Sequence, residues 1–334
     1  MDILPDEILL YILKLLPLDT LLICENVCQR WRKLSRDSTV WRNILVVYSH
    51  KPAAKSGNDR NLDIIQTHGQ WICSIKLQYV DNYSIIRNLL ENCANLMSLE
   101  VVMCNVVKDF VEDIKMWPRL KKLNLRNSML FPRDCEVSID FTNFRDLCYV
   151  NLTDFGISST NCRDLMACPH LCDIFLDKIQ TLSVNNVKEL IVSKRDILKS
   201  FHIYGGESVD DECLLLLSGC ICLRDLAIIR CERLTDVGLL ALGNLKQLNH
   251  LQMWNNIIFT ELALLATLGN PNLFSLCGLS FSRIYNMSPM VVDVISENYK
   301  NLTFLALYQC SKIINTSYEK QLKVKFRNID VVLF

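Results

Sequence analysis

The sequence predicts an α/β fold, a solenoid of stacked strand and helix repeats preceded by a small three-helix unit. Leu-rich groups of the form LxxLxL recur every 24 to 28 residues from Ile72 to Leu302. At that period one strand and one helix fit, and neither buries its apolar face without the next copy. The first 45 residues lack the period and hold instead a helix that is apolar nearly all round. With 334 residues, 50% of them hydrophobic and 22% charged, the chain has material for a sizeable core, enough for about two folding units or one elongated array.

The first helix starts at Pro5, whose fixed φ suits a helical first turn, with Asp6 and Glu7 at its positive end. Ile8, Leu9, Leu10, Ile12, Leu13, Leu15 and Leu16 then leave only Asp6, Glu7, Tyr11 and Lys14 as polar relief. Pro17 stops this helix, and Asp19 or Thr20 is placed to cap a second. Val27, Trp31 and Leu34 fall at i, i+4 and i+7 of a third, with Arg30, Arg32 and Lys33 outside, and Val40 and Trp41 follow. So short a unit carries more apolar surface than it can bury alone, and the surplus calls for a second protein.

LPDEILLYIL at 4–13 and VCQRWRKLSRDSTVWR at 27–42 resemble the F-box. The resemblance implies docking to the helical adaptor subunit of a cullin-based ubiquitin ligase. It assigns that contact to Leu4, Pro5, Ile8, Ile12, Leu13, Leu16, Leu18, Trp31, Val40 and Trp41. Leu13 stands where many F-boxes carry Phe, an exchange of one large apolar side chain for another. The alternative is packing inside the unit, which serves at least as well for Val27, Trp31 and Leu34. Pro5, Ile8 and Ile12, on the over-apolar helix, favour a partner.

Residues 46–66 are expected to form a linker, because HKPAAKSGNDRN at 50–61 mixes Pro, Gly, Ser and charge without apolar periodicity. The repeats then occupy 67–334, about ten of them plus a terminal strand within FRNIDVVLF at 326–334. Their anchors are Ile72, Leu96, Leu120, Leu147, Leu171, Leu198, Leu223, Leu248, Leu276 and Leu302, with Leu273 an alternative frame for the ninth. ESVDDECLLLL at 207–217 aligns with ERLTDVGLLAL at 232–242 at an offset of 25. Within the latter, Thr235 or Asp236 caps the helical run. This part resembles the leucine-rich repeat family in its cysteine-containing form, which implies a solenoid of horseshoe type. Cys104, Cys231 and Cys310 stand eight residues past their anchors, replaced in other repeats by Ser128, Phe155, Ile179, Gly206, Asn256 and Ile284.

Lys plus Arg and Asp plus Glu both number 36, so no net field draws nucleic acid or an anionic membrane, and neither is an expected partner. The longest apolar stretches, such as Ile8 to Leu13, fall far short of the roughly 18 residues of a membrane span. MDILPDE is acidic where a secretory signal is basic, so the 16 cysteines are expected to be reduced thiols in the cytoplasm or nucleus. Cys168, His170 and Cys172 lack a fourth ligand at zinc spacing, and no metal or cofactor is expected. His50, His68, His170, His202 and His250 lie in no catalytic motif, and no glycine-rich phosphate loop occurs, which excludes the recognisable enzyme signatures.

Period-two alternation in LxxLxL turns the residues between the leucines toward the concave side. That lane starts basic at Lys76, Lys122 and Arg126. It later carries Phe175, Tyr204, His250, Trp254, Phe304 and Tyr308, the expected substrate-binding residues, because exposed aromatics anchor protein interfaces. Together the two resemblances imply a non-catalytic substrate-recognition subunit of an SCF-type (cullin-RING) E3 ubiquitin ligase. Such a subunit raises the effective concentration of a substrate protein beside the ligase, for ubiquitination and degradation. The alternatives are a ligase-independent binding or inhibitory protein, and a sensor taking an anionic small molecule near Lys122 and Arg126.

Overall fold

Pro5 and Pro17 each stand just before a helix in extended backbone, and neither helix takes a side-chain cap. They open α1 (Asp6–Leu13) and α2 (Leu18–Cys24). Asp19, expected as a cap, lies inside the first turn of α2 instead, where its charge meets the positive end. The third helix, α3 (Gln29–Ser35), begins after Cys28, so Val27 precedes it and is exposed rather than part of its buried stripe. A fourth, single-turn helix was not foreseen: α4 (Ser38–Trp41), capped by Asp37, delivers Val40 and Trp41 to the core.

The computed structural model describes residues 4–50, 55–131, 138–155, 160–177, 182–256, 259–326 and 329–333. Two compact units result, Met1–Phe155 and Gly156–Phe334. Among the described residues no helix is long and apolar enough to cross a membrane.

The first unit corrects the expected linker, since 46–66 overlaps a strand and a helix. Val46 and Tyr48 of β1 (Leu45–Ser49) are buried, and β1 pairs in parallel with β2 (Ser74–Gln78). Ile64 and Ile65 of α5 (Lys55–His68) are buried too, and Asn61 Nδ2 donates to the Val47 carbonyl at 2.7 Å, occupying an acceptor on the strand. The polar run at 50–61 masked apolar positions on both sides of it. The sheet continues through β3 (Ser98–Val102), β5 (Lys122–Asn124) and β7 (Tyr149–Asn151), all parallel. Two short strands, β4 (Asn105–Val107) and β6 (Met129–Phe131), pair separately. The connecting helices are α6 (Tyr83–Leu90) and α7 (Lys108–Asp113).

Among its described residues the second unit has seven parallel strands: β8 (Asp173–Asp177), β9 (Ser200–Asp210), β10 (Asp225–Arg233), β11 (His250–Trp254), β12 (Gly278–Ser282), β13 (Phe304–Tyr308) and β14 (Asp330–Leu333). Its helices are α8 (Thr160–Ala167), α9 (Val184–Lys194), α10 (Asp211–Leu217), α11 (Asp236–Ala241), α12 (Glu261–Leu268), α13 (Pro289–Asn298) and α14 (Glu319–Lys325). Each of the ten anchors stands two residues before a strand. Leu276 does so for the ninth, and Leu273 closes the short helical turn before it, both fully buried.

Eight residues past the anchor, Cys104, Cys231 and Cys310 are buried, and desolvation pushes their thiols up to about 11, 12 and 11. Two replacements act on the preceding loop. Ser128 Oγ accepts from Cys104 N and donates to Val101 O, and Asn256 accepts from Cys231 N while donating to Ile228 O. Ile179 lies outside the described residues.

The aligned segments of the sixth and seventh repeats form a clamp. Asp211, at the start of α10, accepts from Thr235 N at 2.7 Å, Thr235 Oγ1 at 2.6 Å and Gly238 N at 3.1 Å, all at the start of α11. A Cβ on residue 238 would lie 2.5 Å from that carboxylate, so the close approach needs glycine. Asp236 repeats the pattern on Thr260 N and Oγ1 at the start of α12. Asp211→Ala removes the acceptor of three donors and is expected to cost about 1–2 kcal/mol, measured by urea unfolding of the intact chain.

Candidate functional site

Arg30 fixes α1 against α3: its Nε donates to Asp6 Oδ1 at 2.8 Å and its Nη2 to the Leu4 carbonyl at 2.5 Å. The sequence pattern places Arg30 outside, and its side chain there reaches back to the first turn of α1. Leu9 and Leu13 face inward and are buried. Leu4, Ile8, Tyr11, Ile12 and Leu15 are exposed, and their spacing puts them on one stripe of the helix. Ile23 and Val27 are exposed as well.

The ten expected adaptor residues therefore separate. Leu4, Pro5, Ile8 and Ile12 are exposed, and Leu16, Leu18 and Trp31 are half-buried. Leu13, Val40 and Trp41 are 2, 1 and 0% exposed, which corrects their assignment to a surface: they fill the core of the first unit. Trp41 Nε1 donates to Ser35 O at 2.9 Å, so the indole is satisfied from inside. Tyr11, Leu15 and Ile23 were missed. The i+3 and i+4 spacing from Ile8 to Leu15 was the available signal, obscured because all sides of α1 carry apolar residues.

A buried polar cluster ties these helices to α5. Glu25 accepts from Arg36 Nε and from His68 Nε2, both at 3.0 Å. The His68 ring stacks on Trp41 with centroids 5.3 Å apart, and the Arg36 guanidinium lies 5.1 Å over Trp71. A buried carboxylate is tolerable only with partners of this kind. Here they also bind α2 and α3 to a helix outside the first 45 residues.

In the second unit, strand register arranges the open sheet face in rows. Asp173, Ser200, Asp225, His250, Gly278 and Phe304 form one; Phe175, His202, Ala227, Gln252, Ser280 and Ala306 the next; Asp177, Tyr204, Ile229, Trp254, Ser282 and Tyr308 a third. The expected aromatics are not freely exposed: Phe175, Tyr204, Trp254, Phe304 and Tyr308 are half-buried, and His250 alone among the six is exposed. Mutual packing is the cause for most of them. Phe175 lies 4.3 Å from the His202 ring, Arg230 sits 5.6 Å over Tyr204, and Trp254 meets Tyr308 edge to face at 6.3 Å while donating to Ser280 Oγ. Gly278 makes room for His250, whose Nδ1 would stand 2.4 Å from a Cβ there.

The small residues Gly278, Ser280 and Ala306 are buried on the same face, and strand register sets them beside Trp254, Tyr308 and His250. In the first unit, the basic lane is partly neutralised, because Lys122 Nζ pairs with Glu100 at 2.6 Å and lies 5.0 Å over Tyr149. His202 Nε2 stands 3.1 Å from Asp225 Oδ1 but out of line for a hydrogen bond. Among the described residues no cluster of His, Cys, Asp and Glu is placed to hold a metal. The described residues thus present an exposed apolar helical stripe in one unit and an aromatic strand face in the other.

Residues 1–46 match the F-box-like family. The chain is 26% identical over 135 residues to F-box protein SKIP19 of Arabidopsis thaliana, 38% of this chain and 41% of that protein. A chain in the crystal structure of the yeast Rad7 and Elc1 complex superposes with a TM-score of 0.53 at 17% identity, covering 81% of this chain and 65% of that one. This chain thus spans less than two thirds of either relative. Residues 1–46 thus carry an F-box-like domain, and parallel strands alternating with helices in the manner of leucine-rich repeats follow it.

Asp37 holds α4, and with it Val40 and Trp41, in place by accepting from Thr39 Oγ1 at 2.6 Å and Thr39 N at 2.8 Å. Those bonds to the ionised form keep its carboxyl below the usual carboxylate range, the hydroxyl contributing most. A depressed carboxylate stabilises the fold above its unfolded value, about 3.9, and loses that contribution as pH falls through the lower folded value. Asp37→Ala is expected to cost about 1 kcal/mol at neutral pH, and the difference from the parent should shrink below about pH 4, measured by thermal unfolding across pH.

Proposed function

We propose that this protein is the substrate-recognition subunit of an SCF-type cullin-RING E3 ubiquitin ligase. The single observation that carries this is the exposed stripe Leu4, Ile8, Tyr11, Ile12 and Leu15 within the residues that match the F-box-like family. An apolar stripe on one helix, held in orientation by Arg30, fits a helical partner, and the partner implied is the adaptor that joins F-box proteins to cullin. The repeats then select a substrate protein. On this reading Trp254, Tyr308 and His250 form the principal contact, with Phe304, Phe175 and Tyr204 beside them. No side chain of this chain performs chemistry in the proposal: rate comes from holding the substrate near a charged ubiquitin carrier. The same reading puts the protein in the cytoplasm or nucleus, with the substrate marked for proteasomal degradation.

The intact chain and its Ile8→Asp/Ile12→Asp variant are to be affinity-purified from cells with and without proteasome inhibition and compared by mass spectrometry. Adaptor and cullin should fall at least about tenfold in the variant, while a further protein persists and accumulates on inhibition. That further protein should be lost instead from Trp254→Ala/Tyr308→Ala, each a truncation costing about 2 kcal/mol or more at an interface centre. Adaptor capture undiminished by the two aspartates would overturn the docking assignment.

A further inference from the structure

Arg230, Asn255, Arg283 and Gln309 stand seven residues past the anchors of four successive repeats, and all have left-handed backbone, with φ between 49 and 57°. They follow one another along one edge of the second unit. Neighbouring strands lie about 4.8 Å apart, so Arg230 and Arg283, two strands apart, start about 10 Å from each other, within joint reach of one small ion between them. Between them opens a cavity of about 370 Å³, lined also by Glu232, Asn255, Asn256 and Tyr285.

Both guanidiniums are held by neutral groups. Arg230 Nη1 donates to the Tyr204 hydroxyl, and Arg283 Nε donates to Gln309 Oε1 at 2.6 Å. Neither lies within ion-pair distance of a carboxylate among the described residues, whereas nearby Arg233 pairs with Glu207 at 3.4 Å. An arginine positioned by neutral acceptors keeps its full charge and spare donors, and its planar fork matches phosphate and carboxylate oxygens. Glu232 opposes them, leaving two cations against one anion around the cavity. The volume exceeds a single ion and accommodates the residue that bears it.

We propose that this cavity is an anion-binding site in which Arg230 and Arg283 close on one phosphate or carboxylate group, with Asn255 alongside. The site stands whether or not the adaptor docks at α1. If the receptor reading holds, the anion belongs to the captured protein and the cavity helps choose it.

The test titrates the intact chain with inorganic phosphate, phosphoserine and glutamate by isothermal calorimetry, beside Arg230→Gln/Arg283→Gln and Glu232→Gln. The double variant should bind the preferred anion at least about tenfold more weakly, and Glu232→Gln about threefold more tightly. Should the double variant lose its fold by circular dichroism, the Glu232→Gln arm still decides, because removing an opposing charge must strengthen a true anion site. Phosphoserine or glutamate binding more tightly than inorganic phosphate supports a site for a side-chain-borne anion, and phosphate binding as tightly as phosphoserine supports a site for a free one. No binding of any of the three to the folded parent chain, or affinities unchanged by both variants, would overturn the proposal. Adaptor capture by the same proteins is read separately, so failure of this site leaves the docking assignment standing.

Discussion

Within each unit, a strand has its inward apolar pair covered only where the next strand keeps the same register. Leu226 and Ile228 of β10 stand opposite Leu251 and Met253 of β11, which stand opposite Leu279 and Phe281 of β12, and all six are buried. A slip of one residue would turn Asp225 and Ala227 inward and send the leucines to solvent, so the leucine spacing fixes the register and the register fixes everything mounted on it. The clamps at Asp211 and Asp236 do for three of the helices what the leucines do for the strands, joining the starts of α10, α11 and α12 in turn.

The same repetition determines what the surface offers. Eight non-glycine residues, from Tyr79 to Gln309, take left-handed backbone at the seventh position past their anchors, a conformation costing about 1 kcal/mol apiece. Several of them offset the strain by donating to the next strand, as Asn127, Asn255 and Arg283 do to Thr153, Ser282 and Tyr308. The chain then turns, leaving these side chains along one edge. On the open face of the second unit, register sets His250 opposite Gly278 and brings Trp254 near Tyr308, two strands apart. Neither pairing follows from composition; each follows from strand spacing and a neighbour small enough to permit it.

The helical N-terminal part obeys a different constraint. Its first helix is apolar on two sides, the side carrying Leu9 and Leu13 meets the unit's own core, and Arg30 ties the start of the helix to α3. The buried cluster of Glu25, Arg36, His68 and Trp41 then fastens the short helices to α5, which supplies cover that the first 45 residues lack. This is why β1 and α5, in the stretch that looked like a linker, are ordered elements: the F-box-like domain and the first strands share one core.

The sequence by itself determined the repeat period, the ten strand positions, the buried cysteine position and the presence of a helix with surplus apolar surface. These are periodic or locally dense features, and a periodic pattern fixes which side of an element is inside. Only the tertiary structure decided which members of a mixed list reach solvent. Leu13, Val40 and Trp41 carry the same hydrophobic label as Ile8 and Ile12, yet helix packing and the Asp37-capped turn of α4 send them inward. Likewise, the aromatics of the strand lane read as exposed from alternation alone, and only strand-to-strand contact shows them covering one another. Whether a side chain faces out depends on neighbours far along the chain, and single-residue chemistry holds no record of those neighbours.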